Sequence, residues 1–392
     1  MIRRLRAAWR TVRRPARVAR GVARRLSVVE TLAGREVVAG VSLPLSRRLS
    51  LWRHGFTSRS GVLFGVGPGT YDDYLSDYRL ELLDDLGGDW ADVPANKLAG
   101  HLWFGAYPDR LPDLYGVVDD GRLYRDYPTV VSPPTPALDG DRRPTGTADG
   151  GGATGTSREA GEWVLSVLDA AGTLVCKPAY GFGGEGVHVC RATDDGVLVD
   201  DERRSRGAFV EWVDGLPATL VTEYVEQADY AARLFPDAAN TLRVLTLWDP
   251  ETDDPFVAGV VQRIGTRRSA PVDNWSRGGL SAEIREDGTL SAGARWEADE
   301  CELAWYESHP DTGARIEGTA VPDWPAIRSG VLELARTVPS LPRVGWDVVV
   351  TGDGEFVLLE LNGHAGIETL QVHRPHLDDP RVRRVYEAYG AI

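Results

Sequence analysis

Residues 174–190 read LVCKPAYGFGGEGVHVC, an apolar run ending near Lys177, a turn with four glycines, and a second apolar run. Gly181, Gly183 and Gly186 satisfy GxGxxG, with Gly184 inside the pattern, so the flanks must say which loop this is. A dinucleotide-binding loop opens directly into a helix and meets an acid about 20 residues on. Here the following VHVCRATDDGVLVD alternates at the strand period and turns at Asp194-Asp195-Gly196. A Walker A loop would end in Gly-Lys-Ser/Thr, and a protein kinase would place its lysine after the glycines and add HRD and DFG segments; this sequence has none of these. What remains is a strand, a lysine, a flexible glycine turn and a strand. The backbone N–H groups of such a hairpin can close over phosphates while Lys177 reaches them from the base.

The choice of lysine is itself informative. Of 44 basic residues only Lys97 and Lys177 are lysine. An ammonium is a compact point charge and a guanidinium a broad planar fork, so a narrow phosphate slot accepts the first and excludes the second. Elsewhere the scarcity of lysine and the net charge of −14 fit either a surface kept soluble in high salt or a GC-rich genome. Cys176, Cys190 and Cys301 form no CxxC pair, so neither a disulfide framework nor a zinc site is indicated, and a reducing, cytoplasmic setting is expected. No stretch approaches the about 20 apolar residues of a membrane span.

The first 26 residues carry ten arginines and no acid, with apolar residues at near-helical spacing. They read as a basic amphipathic helix. It could pack on the acidic body of the chain, rest on anionic headgroups at the inner face of a membrane, or touch nucleic acid; no aromatic-rich groove or second basic block supports the last. From residue 27 to 131 short apolar runs alternate with polar turns, an N-terminal α/β region in which PANKLAGHLWF reads as a helix carrying Lys97, followed by a strand. Residues 132–157 are rich in Pro, Gly, Thr and Asp with little to bury, and read as a mobile linker or insertion.

Near the C-terminus, GWDVVVTGDGEFVLLELNG places Asp353-Gly354 between two β-rich runs. A two-residue turn there pairs Thr351 with Phe356, Val349 with Leu358, and Asp347 with Glu360, and puts Asn362 on the same face as Glu360. Like charges directly opposite one another destabilise a sheet, so this acid pair needs a cation or a shared proton. A hard divalent ion such as magnesium, taking carboxylate and amide oxygens, fits the donor set.

Lysine before a glycine hairpin, an apolar strand ending in an acidic hinge, then Asp with Glu and Asn on a paired strand is the order found in the ATP-grasp superfamily. The segments YLSDY, NKL, KPAYGFGGEGVHV, EYVEQ, NTLRVLTL, PVDNWSRGGL, HPDTGARIEG, GWDVVV and LLELNGHAGIETLQ resemble, more narrowly, the sugar-transfer-associated ATP-grasp proteins. Those are relatives of glutamate-type ligases found beside polysaccharide biosynthesis genes. The likeness runs from Tyr71 to Gln371, interrupted by 132–157.

The resemblance implies an α+β ATP-grasp fold, two α+β subdomains (158–225 and 226–392) clasping ATP after the smaller N-terminal region. It implies that Lys177 and Lys97 bind ATP phosphates from two sides, with Gly183, Gly184 and Gly186 in the covering turn. Glu223, Tyr224 and Val225 resemble the hinge whose backbone meets adenine, with Glu226 or Asp229 near the ribose. Asp347, Glu360 and Asn362 look like ligands of magnesium, two ions in all. Arg243 and Arg263 are candidates, with Lys177, for stabilising the transferred phosphoryl group. Asn274, Arg277, Gly278 and Gly279 resemble the acceptor loop, and His309 reads as a turn residue. Many relatives carry an arginine two residues before the metal aspartate; here that position is Gly345, so the role is filled otherwise or missing.

The implied chemistry is an ATP-dependent carboxylate–amine ligation through an acyl phosphate, on small, sugar-linked substrates. A phosphotransferase and a membrane-docked ATP-binding module without turnover are the alternatives.

Overall fold

The computed structural model describes residues 23–38, 40–83, 86–133, 159–181, 184–200 and 202–392. The arginine-rich residues 1–22, almost all of the 132–157 segment and Gly183 lie outside the described residues.

The chain opens with helices: α1 (23–38), α2 (Leu45–Arg53), α3 (Ser58–Leu63), α4 (Asp77–Leu83) and α5 (Lys97–Trp103). Strands β1 (Leu114–Asp119) and β2 (Arg122–Tyr124) follow, then α6 (Glu159–Ala171), β3 (Thr173–Pro178), β4 (His188–Thr193), β5 (Gly196–Val199), β6 (Glu202–Arg204), α7 (Arg206–Asp214) and β7 (Thr219–Glu223). These seven strands form one antiparallel sheet in the order β2-β1-β7-β3-β4-β5-β6. The only strands of the 27–131 region among the described residues therefore extend this sheet and make none of their own.

The remainder comprises α8 (Asp229–Leu234), β8 (Leu242–Asp249), β9 (Asp254–Ile264), β10 (Leu280–Glu283), β11 (Gly293–Glu297) and β12 (Glu302–Tyr306), followed by α9 (Trp324–Arg336), β13 (Arg343–Val350), β14 (Phe356–Asn362), α10 (Glu368–Gln371) and α11 (Pro380–Ala388). Its second antiparallel sheet has the order β12-β11-β10-β9-β8-β13-β14.

Side-chain alternation builds each core. On β3, Leu174 and Cys176 join Val164 and Leu168 of α6 and Phe209 and Val213 of α7, which turns Val175 and Lys177 to the opposite face. The second sheet, the larger of the two by strand length, is covered on both sides. Val244 and Trp346 pack with Ile327, Val331 and Leu334 of α9, while Leu245, Leu247 and Phe256 pack with Val382, Val385 and Tyr386 of α11. Buried on both faces, β13 reads as a near-continuous apolar run broken by Asp347. Trp346 buries its ring against Phe104 and donates its Nε1 proton to Thr246 Oγ1 at 2.8 Å, so the largest side chain beside Asp347 has one fixed orientation.

The β13–β14 register corrects the expected hairpin. Val349 pairs with Val357 and Val350 with Phe356, because the turn uses Gly352-Asp353-Gly354 and Thr351 N–H donates to Glu355 O. A bulge at Leu359 adds one residue back, and Asp347 still faces Glu360. Gly354 sits at φ 74°, the left-handed region that such a turn asks of glycine.

Three histidines are held neutral inside the fold. Burial, with Lys177 nearby, pushes His101 down to about 3; burial and Arg343 push His376 to about 3; burial pushes His373 to about 4 against the Ser281 hydrogen bond. An unfolded histidine titrates near 6.5, so their contribution is complete above that pH and is lost as pH falls toward 4 and 3. Stability should drop by on the order of 3 kcal/mol between pH 7 and 5.5, read as a falling denaturant midpoint. A midpoint flat over that range would contradict the burial of these rings. No helix among the described residues is long and apolar enough to cross a membrane.

Candidate active site

The two sheets and the N-terminal region enclose one cleft of about 560 Å³. The alternation of β3 that fills the α6–α7 core sends Lys177 into it, 7 % exposed. Lys97 arrives from the other side. Asn96 caps α5 by accepting from Ala99 N–H, and the Lys97 N–H donates to Ala179 O at 2.8 Å, so the start of α5 is stitched to the glycine hairpin. The Lys97 ammonium then donates to Gly181 O at 2.8 Å and lies 3.6 Å from Glu360 Oε1. One lysine thus touches the small sheet's loop and the large sheet's acid together.

Across the large sheet, Arg243 on β8, Asp347 on β13 and Glu360 on β14 are consecutive cross-strand partners. Arg243 grips Asp347 with two bonds, Nε to Oδ1 at 2.5 Å and Nη2 to Oδ2 at 2.9 Å. Arg263 Nη1 adds a third at 3.2 Å, and Asn362 Nδ2 a fourth at 3.2 Å. The cation that the sequence demands for the acid pair is therefore present in the protein itself, on the Asp347 side.

The two acids are pushed in opposite directions. Burial works to raise Asp347, but Arg243 and Arg263 prevail and hold it below the usual carboxylate range. Burial raises Glu360, and Asp347 adds to this against the pull of Lys97. Glu360 Oε1 is buried with no hydrogen-bond partner. Burial and Lys97 together lower Lys177 to about 8, with Glu360 opposing.

Gly345 lies two residues before Asp347 on β13. A Cβ there would lie 2.6 Å from the Ala365 Cβ, with the Arg243 Cδ in contact at 3.4 Å, so Ala365 occupies the space that a side chain at 345 would need. Gly345→Ala should cost about 1–3 kcal/mol, seen as a lower denaturant midpoint. An unchanged midpoint would refute the crowding.

The family model for sugar-transfer associated ATP-grasp proteins matches residues 111–383. The chain belongs to the sugar-transfer associated ATP-grasp family. No curated protein matches its sequence. Among solved structures it is similar to the ATP-grasp ligase PsnB complexed with minimal precursor (12% identity, TM-score 0.36, 77% of this chain and 62% of that one). It is also similar to biotin carboxylase from Campylobacter jejuni (11%, 0.37, 76% and 47%) and to the VanG D-Ala:D-Ser ligase from Enterococcus faecalis (13%, 0.37, 75% and 62%). The chain spans less than two thirds of the length of each.

In this ATP-grasp chain the cleft gathers most of the residues singled out from sequence: Lys97, Lys177 and Gly184, the hinge residues Glu223, Tyr224 and Val225, then Arg243, Arg263, Asn274, Asp347, Glu360 and Asn362. The Glu223 N–H donates to Asp113 O at 2.9 Å and its carboxylate accepts from Asp113 N–H at 3.1 Å, which fixes the end of β7. Gly186 lies outside the lining; at φ 68° its α-carbon closes on Pro178, where a Cβ would meet Cγ at 2.8 Å.

Glu226 and Asp229 are exposed and outside the lining. Between them Gln227 turns inward, donating to Ala238 O at 2.8 Å and accepting from Asn240 N–H at 3.0 Å, which swings its neighbours out. Asp237 lines the cleft instead.

Arg277, Gly278 and Gly279 also lie outside the lining. Gly278 ends a turn at φ 97°, and a Cβ on Gly279 would sit 2.5 Å from Asp273 O, so both glycines serve the loop's shape. Arg277 instead reaches to 3.9 Å from Glu185 in the glycine turn, and Gly184 abuts Val272, so the hairpin tip meets the 272–277 loop. His309 is a turn residue: Nε2 donates to Gly265 O at 2.8 Å and Nδ1 accepts from Asp311 N–H.

Sequence reasoning passed over Asp273, which accepts from Thr241 N–H at 2.7 Å and Thr241 Oγ1 at 2.6 Å and ion-pairs with Arg263. A lone acid between Val272 and Trp275 was its signal. Arg191 on β4 and Asp200, just past the end of β5, also line the cleft and carried no signal in the sequence.

Proposed function

We infer that this chain is an ADP-forming ligase that joins a carboxylate to an amine through an acyl phosphate, in the making of a cell-surface polysaccharide or glycoconjugate. The observation that carries this reading is the charge arrangement of the cleft. Two ammonium groups on the glycine-hairpin side face a row of arginine, aspartate and glutamate on the large sheet. Such a constellation suits phosphoryl transfer, which needs positioning and charge stabilisation more than covalent chemistry.

The donor set fits magnesium. Glu360 and Asn362 offer hard oxygens, the buried Glu360 Oε1 lacks a hydrogen-bond partner that a cation would supply, and Asp347 would join them by sharing an oxygen that the arginines now hold. Bound there, magnesium would neutralise developing charge on the phosphate oxygens. Lys177 and Lys97 would hold the triphosphate, and the glycine turn would exclude water from a hydrolysable intermediate. Arg263, braced by Asp273, and Arg243, braced by Asp347, present guanidinium groups to the acceptor side of the cleft.

In the reaction, a substrate carboxylate oxygen attacks the γ-phosphorus and ADP leaves. The amine then attacks the acyl carbon, phosphate leaves, and the amine gives up a proton. ADP release screened against pools of carboxylates and amines, with mass spectrometry of the product, tests the reading. An amide product and carboxylate-dependent scrambling of the β,γ-bridge oxygen of ATP are expected. Phosphate transferred to a hydroxyl would make the chain a phosphotransferase, and no ADP with any mixture would leave a binding module.

A further inference from the structure

Helices α1 and α2 each carry a second apolar stripe that the fold does not use. On α1, Val28 is fully buried and Glu36 turns inward to accept from Ser58 N–H at 2.7 Å, so one face is committed to the body. Leu26, Val29, Ala33 and Val37 recur at helical spacing within about 80° of arc on another face. All are exposed, Leu26 at 65% and Val37 at 85%, with Val38 beside them at 81%. On α2, Leu51 is fully buried, while Leu45, Leu49 and Trp52 span about 60° of arc and are exposed, Leu45 at 66%.

The two helices are neighbours, joined by Arg48 to Glu36 at 3.1 Å, and Arg48 also lies over the Trp52 ring. An exposed apolar set of this size on one end of a protein marks an interaction surface.

Charge selects the occupant. Residues 23–55 hold six arginines and two acids, whereas residues 56–392 hold 30 basic and 56 acidic residues. An anionic surface therefore attracts this end and repels the rest. Apolar stripes flanked by arginine are what an interfacial helix inserts at a headgroup boundary. We propose that α1 and α2 form a docking surface for an anionic lipid membrane, with the apolar stripes entering the interface and the arginines of 23–55 drawn to the headgroups. The cleft is not part of this surface, so the proposal stands or falls apart from the ligase reading.

The test is sedimentation of the full chain with vesicles of phosphatidylglycerol and phosphatidylcholine, against phosphatidylcholine alone. Binding to the anionic vesicles only, weakened by salt, is expected. Two triple variants, L26S/V29S/V37S and L45S/L49S/W52S, should each lower the partition coefficient at least about tenfold with the circular dichroism spectrum unchanged. Equal binding to both vesicles would overturn the proposal, as would anionic binding untouched by either variant. Absence of vesicle binding, with a wild-type dimer that the variants turn into monomer, would instead assign the stripes to a second copy of the chain.

Discussion

Lys177→Ala should abolish nucleotide-dependent turnover in a protein that still folds. Lys177 is buried, its charge is penalised by burial and by Lys97, and only Glu360 favours it, so removing the ammonium relieves a repulsion in the folded state. What is lost is a fixed positive charge at the base of the glycine hairpin, where the low dielectric makes it strong. A fall in kcat/KM of at least about 10³-fold, near 4 kcal/mol, is expected. Lys177→Met keeps the stem and should be as inactive, which separates lost charge from lost packing. A rate within a few-fold of wild type in either variant would remove Lys177 from the chemistry.

The second large effect divides two carboxylates that look equivalent in the sequence. Asp347→Ala would leave Arg243 buried without its counter-charge and Arg263 with Asp273 alone, and should cost about 3–5 kcal/mol of stability. Glu360 is already pushed toward protonation by burial, and one of its oxygens makes no hydrogen bond, so Glu360→Gln should leave the denaturant midpoint within about 1 kcal/mol of wild type. Both variants should lose ADP formation. Equal destabilisation by the two substitutions would contradict the assignment of the arginines to Asp347.

Local chemistry was legible in the sequence, and pairing across long separations was not. Lys177 and Lys97 stood out because each lysine survives among arginines at a place where a compact charge matters. Asp347 and Glu360 were read from one hairpin, and the bulge at Leu359 compensated for a turn that is one residue longer than assumed. Arg243 faces Asp347 only because β8 pairs with β13 about a hundred residues later, and no local pattern announces that neighbour. The same non-locality hid the attachment of β1 to β7, since an apolar strand fits any sheet whose register is free. Glu226 and Asp229, named from the resemblance, stay exposed and outside the cleft lining, because it is Gln227 between them that turns inward with its hydrogen bonds.

The account rests on a triphosphate held between two ammonium groups and a carboxylate-bound magnesium. Calorimetric titration with a non-hydrolysable ATP analogue in magnesium, on the wild-type chain and on K97M/K177M, tests it most directly. One saturable site that disappears when both ammonium groups are removed or when magnesium is withheld is the predicted result. Binding of unchanged affinity in the double variant, or binding indifferent to magnesium, would contradict it.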